Sequence, residues 1–256
     1  MSAPLLQVRA VGWTVSGRAI LDDVTFDVRP GEVVAIVGRN GAGKSTLLDI
    51  IAGLREPSAG AVWLNGVDIV DQPPRKRAKQ IAHLPQLLRA DLPFQAYELV
   101  LMGRYPHTDR WFESDEDRRV VEASMRRADC WHLRDRFVQT LSGGERQRVL
   151  LAACLAQTAP IVLLDEPSTH LDIDQQLHCF AVLEEEGAAG TACIAVTHDL
   201  NLALAHATRL IVLANGRLVQ DVAVTDAVAQ ADWLSFFSPR LVLSTTSTGR
   251  PWVSYS

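Results

Sequence analysis

The sequence predicts an α/β fold with a mainly parallel sheet, an N-terminal antiparallel β part and a helical insertion. Three observations carry this expectation. Gly38-Arg39-Asn40-Gly41-Ala42-Gly43-Lys44-Ser45-Thr46 satisfies G-x-x-x-x-G-K-[ST], the phosphate-cradling loop, and lies between an apolar run and a helical pattern. Short apolar runs alternate with helical segments from Ile161 onward, the mark of a parallel sheet covered on both faces. Between about residues 87 and 158 the strand signal gives way to helical periodicity.

Leu5 to Val11 and Ala19 to Val28 read as strands, and period-2 alternation is clear in the second. Pro30-Gly31 is a turn into Val33–Val37, a buried strand. The loop follows. Gly38, Gly41 and Gly43 let the backbone curl so that N–H groups converge on phosphate oxygens, with Arg39, Asn40, Ala42 and Thr46 completing the cradle. A helix starting near Leu47 adds its positive end. Lys44 supplies a mobile charge for the β- and γ-phosphates, and the Ser45 hydroxyl is a candidate Mg²⁺ ligand. Ala61–Leu64 and Val67–Ile69 flank Asn65-Gly66, the preferred two-residue hairpin turn. Arg75-Lys76-Arg77 with Lys79 reads as a solvated helix face. Ser114 with Asp115-Glu116-Asp117 marks a helix start, and Val149–Ala156 reads as a buried helix.

Ile161–Leu164 ends in Asp165-Glu166, where α/β sheets bind ligands. Asp165 is placed to hold Mg²⁺, directly or through water, and Glu166 to polarise an attacking water. A helix is expected from Asp174 to about Glu186, ending before Gly187. A strand follows at Ala192–Val196, then a helix at Leu200–Ala207 and a strand at Leu210–Leu213. Arg240 to Ser256 suggests a hairpin whose turn is Thr245–Gly249.

At 256 residues and 48% hydrophobic content the chain suits one domain, 1–256, with the helical subdomain at about 87–158 inside it. A formal charge of -5 argues against a nucleic-acid partner bound through bulk charge. The four scattered cysteines lack a C-x-x-C pair and read as small buried hydrophobes of a reducing compartment. The N-terminus shows no secretory signal, and no apolar run approaches the ~18 residues of a membrane span. The expected location is the cytoplasm or the cytoplasmic face of the plasma membrane.

Leu141-Ser142-Gly143-Gly144-Glu145-Arg146-Gln147-Arg148 then narrows the reading. L-S-G-G-E-x-Q-R with a downstream D-E-P resembles the signature of the ATP-binding cassette (ABC) ATPases, and the resemblance covers nearly the whole chain. It implies an ATP-hydrolysing homodimer, head to tail, in which Ser142, Gly143 and Gly144 close on the γ-phosphate bound by the other subunit. It assigns Gln86 to the Q-loop, near metal and water, and His198 as the switch histidine. Trp13 takes the position of the adenine-stacking aromatic. Asp172 belongs to the D-loop, Ser168-Thr169-His170-Leu171-Asp172, where His170 replaces a common alanine; Arg39 stands where proline is commonest. Leu92 to His107, containing G-R-Y-P-H, resembles a segment of the ATPases that serve importers of ferric siderophores, haem and vitamin B12. There Tyr97, Leu99 and Leu101 are expected to line a cleft, and Arg104 to reach helix-terminal carbonyls, where a permease subunit docks. A transmembrane permease and, through it, a substrate-binding protein are the implied partners. Other ABC transporters, moving metal ions or molybdate or exporting, are the alternative, and a soluble non-transport ABC protein a more distant one.

Overall fold

The computed structural model describes residues 3–86, 92–108, 113–246 and 249–255. Strands β1 (Leu6–Val15) and β2 (Arg18–Val28) form an antiparallel hairpin across Ser16-Gly17, both at positive φ. β3 (Val33–Val37) leads into the phosphate loop and helix α1 (Lys44–Ile51). β4 (Ala59–Leu64) pairs with the free side of β1 and carries β5 (Val67–Asp68) across the expected Asn65-Gly66 turn. These strands make the antiparallel sheet, in the order β2-β1-β4-β5.

Beyond α2 (Pro74–Ala78) and β6 (Ile81–Leu84), the chain enters the helical layer of α3 (Ala96–Met102), α4 (Asp115–Arg127) and α5 (Gly143–Ala156). It returns through β7 (Ile161–Asp165), α6 (Ile173–Ala188), β8 (Ala192–Val196), α7 (Leu200–His206), β9 (Arg209–Ala214) and β10 (Arg217–Ala223). The main sheet runs β10-β9-β3-β8-β7-β6, parallel except for the β9–β10 hairpin. Every residue of β3, β7 and β8 is buried, which explains why they read as unbroken apolar runs. The expected C-terminal hairpin is present as β11 (Leu241–Thr245) and β12 (Pro251–Tyr255); residues 247, 248 and 256 lie outside the described part.

One core joins the two sheets around α1, through Leu21, Val24, Leu48, Ile50 and Ile194. A second joins the main sheet to the helical layer, and there Val149–Ala156 is buried apart from a partly exposed Ala153. A third gathers the C-terminal hairpin, α7 and the fully buried Trp233. All four cysteines are free and buried.

The structure corrects four sequence readings. Helix α6 does not stop before Gly187; it runs to Ala188. A Cβ on Gly187 would lie 2.6 Å from Val33 Cγ2, so this glycine serves close helix–strand packing rather than termination. Strand β10 was not expected, although Asn215-Gly216, both at positive φ, makes the same turn as Asn65-Gly66. The basic cluster is more than a solvated face: Arg75 donates to the carbonyls of Pro106 and Thr108, and Arg77 to those of Ile69 and Gln72.

The fourth correction concerns G-R-Y-P-H. Arg104 is only 6% exposed, and its guanidinium is used inside this chain. It donates to Asp117 Oδ1 at 3.0 Å, to the Ala156 carbonyl at 2.8 Å and to Thr158 Oγ1 at 2.8 Å. The helix-terminal carbonyl it reaches is that of α5. His107 Nε2 lies 2.8 Å from the Gln157 carbonyl, and a Cβ on Gly103 would come within 2.4 Å of the Ala153 carbonyl. The string is therefore a clasp between the ends of α3 and α5. Tyr97, Leu99 and Leu101 pack against the second core, while Tyr105 is 74% exposed.

Candidate active site

The loop forms because β3 ends at the edge of the core and α1 must begin at once. Gly43 has φ 98°, and a Cβ there would meet Leu21 Cδ2 at 2.7 Å. Only glycine allows the chain to turn down into the helix at this point. Lys44 is buried, and its Nζ donates to the Gly38 carbonyl at 2.8 Å and the Arg39 carbonyl at 3.2 Å. Burial lowers its pKa, against the opposing pull of Glu166 and Asp165.

Strand β7 brings Asp165 beside the start of α1. Burial raises the Asp165 carboxyl, and a hydrogen bond with Ser45 works against that rise. Its Oδ1 is buried without a hydrogen-bond partner. An orphaned carboxylate oxygen next to a hydroxyl on a phosphate loop is a fitting donor set for Mg²⁺, which takes one or two protein oxygens and fills its shell from phosphates and water.

Glu166 sits at φ 53°, unusual for a non-glycine residue. Its N–H donates to the Val196 carbonyl at 3.0 Å, fixing the turn to β8, and its Oε2 accepts from Thr169 Oγ1 at 3.3 Å. His198, at the end of β8, places Nδ1 3.9 Å from that same Oε2. Asp199 then caps α7 by accepting from Asn201 N and Leu202 N.

A cleft of about 710 Å³ brings these groups together. Asn40, Gly41, Gly43, Lys44, Ser45 and Thr46 line it from the loop; Gln86, Glu166 and His198 line it from the strand ends. Arg18 and Ile20 of β2 also line it, and the sequence reading missed both. Their signal was their place just after a tight turn in a strand hydrogen-bonded to β1. Arg39 and Ala42 line a smaller neighbouring cavity instead, and Gly38 contributes its carbonyl to Lys44.

Trp13 is placed differently from the expectation. It pairs across the hairpin with Leu21, packs against the core, and carries the Arg55 guanidinium 4.3 Å from its ring centroid. The register of β1 and β2 shifts near Trp13, which puts it with Leu21 rather than with Ile20. Among the described residues it is not part of the cleft wall.

Ser142, Gly143, Gly144 and Asp172 stand apart from the cleft as well. Ser142 and Glu145 form a reciprocal cap on α5, and Asp172 caps α6 through Gln175 N. The two segments touch: a Cβ on Gly143 would lie 3.1 Å from His170 Cβ, and His170 itself has φ 67°. The signature helix start and the D-loop thus form one packed surface, separate from the cleft of the same chain.

The family model of the ABC transporters matches residues 21–169. The chain belongs to the ABC transporter family. It is 43% identical over 237 residues to the hemin import ATP-binding protein of Gloeobacter violaceus, covering 90% of this chain and 86% of that one. It is 40% identical over 242 residues to the cobalamin import ATP-binding protein of Halobacterium salinarum, covering 94% of this chain but only 60% of the longer relative. A dimeric ATP-binding cassette in a post-hydrolysis state, bound to ADP and Pi, superposes with a TM-score of 0.78 at 26% identity over 86% of this chain and 98% of that one. An ABC transporter in an inward-facing conformation shares the fold at TM-score 0.83 and 23% identity, over 99% and 98% of the two chains. The protein is accordingly an ATP-binding ABC subunit whose hydrolysis of ATP is coupled to transport.

Proposed function

We propose that this chain is the ATPase of an importer for a metal chelate, namely haem, a corrinoid such as vitamin B12, or a ferric siderophore. It would act as a homodimer on the cytoplasmic face of the membrane, beneath a separate permease fed by a substrate-binding protein. The observation that carries the reading is a cleft joining Lys44, Glu166 and His198 while the signature surface lies elsewhere in the same chain. Such a division suits a site completed by a second copy. The names of the hemin and cobalamin relatives support the cargo class. No described helix is long and apolar enough to cross a membrane, in keeping with a subunit that relies on a permease.

In this reading the loop amides and Lys44 bind the phosphates, and Lys44 exchanges its two carbonyl partners for phosphate oxygens. Glu166 Oε2 holds the proton of the attacking water, and His198 and Gln86 keep that water aligned. Ser45 and Asp165, with Gln86 in reach of the cleft, would hold Mg²⁺, which when bound neutralises charge on the phosphates. Ser142 and the Gly143 and Gly144 amides of one subunit would meet the γ-phosphate in the other. Asp172 would fix the D-loop at that junction. A strain lacking this gene, supplied with haem, ferric siderophores or vitamin B12 in turn, is expected to lose uptake of one of them. Normal uptake of all three, with a defect in export or in free metal-ion uptake, would falsify the cargo assignment.

A further inference from the structure

The cleft has two chemically distinct parts. Lys44, Ser45 and the loop glycines surround the start of α1 and suit phosphates. Arg18 and Ile20 come from the other sheet. Ile20 is the residue skipped where the β1–β2 register shifts, and both it and Arg18 border the cleft. Ile20 is the single aliphatic side chain larger than a methyl among the described residues of the wall. Arg18 is exposed and follows the Ser16-Gly17 turn; its backbone pairs with Val15 in the hairpin, while among the described residues its guanidinium makes no hydrogen bond or ion pair. The strand beneath it is firmly held. Gly216 approaches so closely that a Cβ would lie 2.4 Å from the Ile20 carbonyl, and Asp22 N donates to the Gly216 carbonyl at 2.9 Å. Trp13, by contrast, already has its ring covered by Arg55, and Arg55 is itself tied to Asp49 at 3.3 Å.

We propose that Arg18, with Ile20 beside it, is the platform for the nucleobase of ATP, taking the place of an aromatic ring. A guanidinium is planar, weakly hydrated and stacks on π-faces, properties that a lysine ammonium lacks. The aliphatic Ile20 gives the purine an apolar edge to rest against. Arg55 then acts on Trp13 as a structural lid over the core, not as part of the nucleotide site. This inference rests on the cleft being the ATP site.

The test is calorimetry on the full chain with two probes, ATP and inorganic tripolyphosphate. Arg18→Ala is expected to weaken ATP about tenfold and leave tripolyphosphate unchanged. Arg18→Lys should resemble Arg18→Ala, because charge without a planar face does not stack. Trp13→Leu should cost less ATP affinity than Arg18→Ala. The proposal is overturned if Arg18→Lys restores full affinity, if tripolyphosphate weakens as much as ATP, or if Trp13→Leu is the more damaging change. Normal ATP binding that is indifferent to Arg18 overturns this inference alone. Failure of the unaltered protein to bind ATP overturns the nucleotide reading of the cleft as well.

Discussion

Lys44 and Glu166 lie in one charged cluster, yet their loss should have different consequences. Lys44→Ala removes a phosphate contact, so ATP binding should weaken and turnover vanish. Glu166→Gln keeps the side-chain volume and loses only the proton acceptor; ATP affinity should stay near normal while hydrolysis falls by about a hundredfold or more. Parallel binding and phosphate-release assays separate the two. Away from the cleft, Asp117 is the residue with the clearest pH signature. Its hydrogen bond with Ser114 and then its contact with Arg104 hold its carboxyl down at about 2. A depressed carboxyl stabilises the fold above its ordinary pKa of 3.8, and that contribution fades as pH falls toward 2. Asp117→Asn leaves buried Arg104 without its counter-ion and should cost about 3 kcal/mol at neutral pH. Urea titrations at several pH values should show a flatter acid limb for the variant. Asn40, Gly41, Gly43, Lys44, Ser45 and Thr46 could be read as one loop because phosphate chemistry fixes their spacing, and they line one cleft, whereas Arg39 and Ala42 border its neighbour. Trp13 and Arg18 could not be read in this way, because a bulge decides which side of a strand faces the cleft, and a bulge cannot be counted from sequence.

At the scale of elements, the strands of the parallel sheet announced themselves by apolar runs, and the helical layer by its periodicity. What stayed hidden was how the elements are joined. The C-terminal hairpin is an example. Asn201, in the first turn of α7, donates to the Val253 carbonyl at 3.1 Å and accepts from Val253 N at 2.8 Å. β12 therefore grips the helix that starts beside His198. Asn201→Ala should loosen this grip and lower kcat several-fold with little change in KM for ATP, as steady-state kinetics would show. Asn201→Gln, retaining both hydrogen-bonding functions, should recover part of the loss. The α3–α5 clasp makes a second case. Gly103→Ala places a methyl against the Ala153 carbonyl and should destabilise the protein by about 1–3 kcal/mol, readable by denaturant unfolding. In the sequence G-R-Y-P-H looked like a docking device, since no local rule reveals that its arginine turns inward.

For the whole molecule, cleft and signature surface lie apart in one chain, and in the proposed homodimer each subunit would supply one half of a reaction site. Glu166→Gln should accumulate as a dimer with ATP and stay monomeric without it, a shift that size-exclusion chromatography detects. A mixture of Glu166→Gln and Ser142→Arg subunits should dimerise less completely than Glu166→Gln alone, because half of the possible junctions carry a bulky cation where the signature meets phosphate.

The buried cysteines turn this closure into something measurable. Burial pushes the thiols of Cys130, Cys154, Cys179 and Cys193 up to about 12, so they carry almost no thiolate at neutral pH and offer no surface to a reagent. The folded protein should therefore be silent toward a thiol-specific dye and yield four equivalents only when unfolded. A single cysteine introduced on the exposed Ser16 turn would then be the lone attachment point for a spin label. Two such labels, one per subunit, would serve as a ruler across the dimer, read against a background the protein has already blanked.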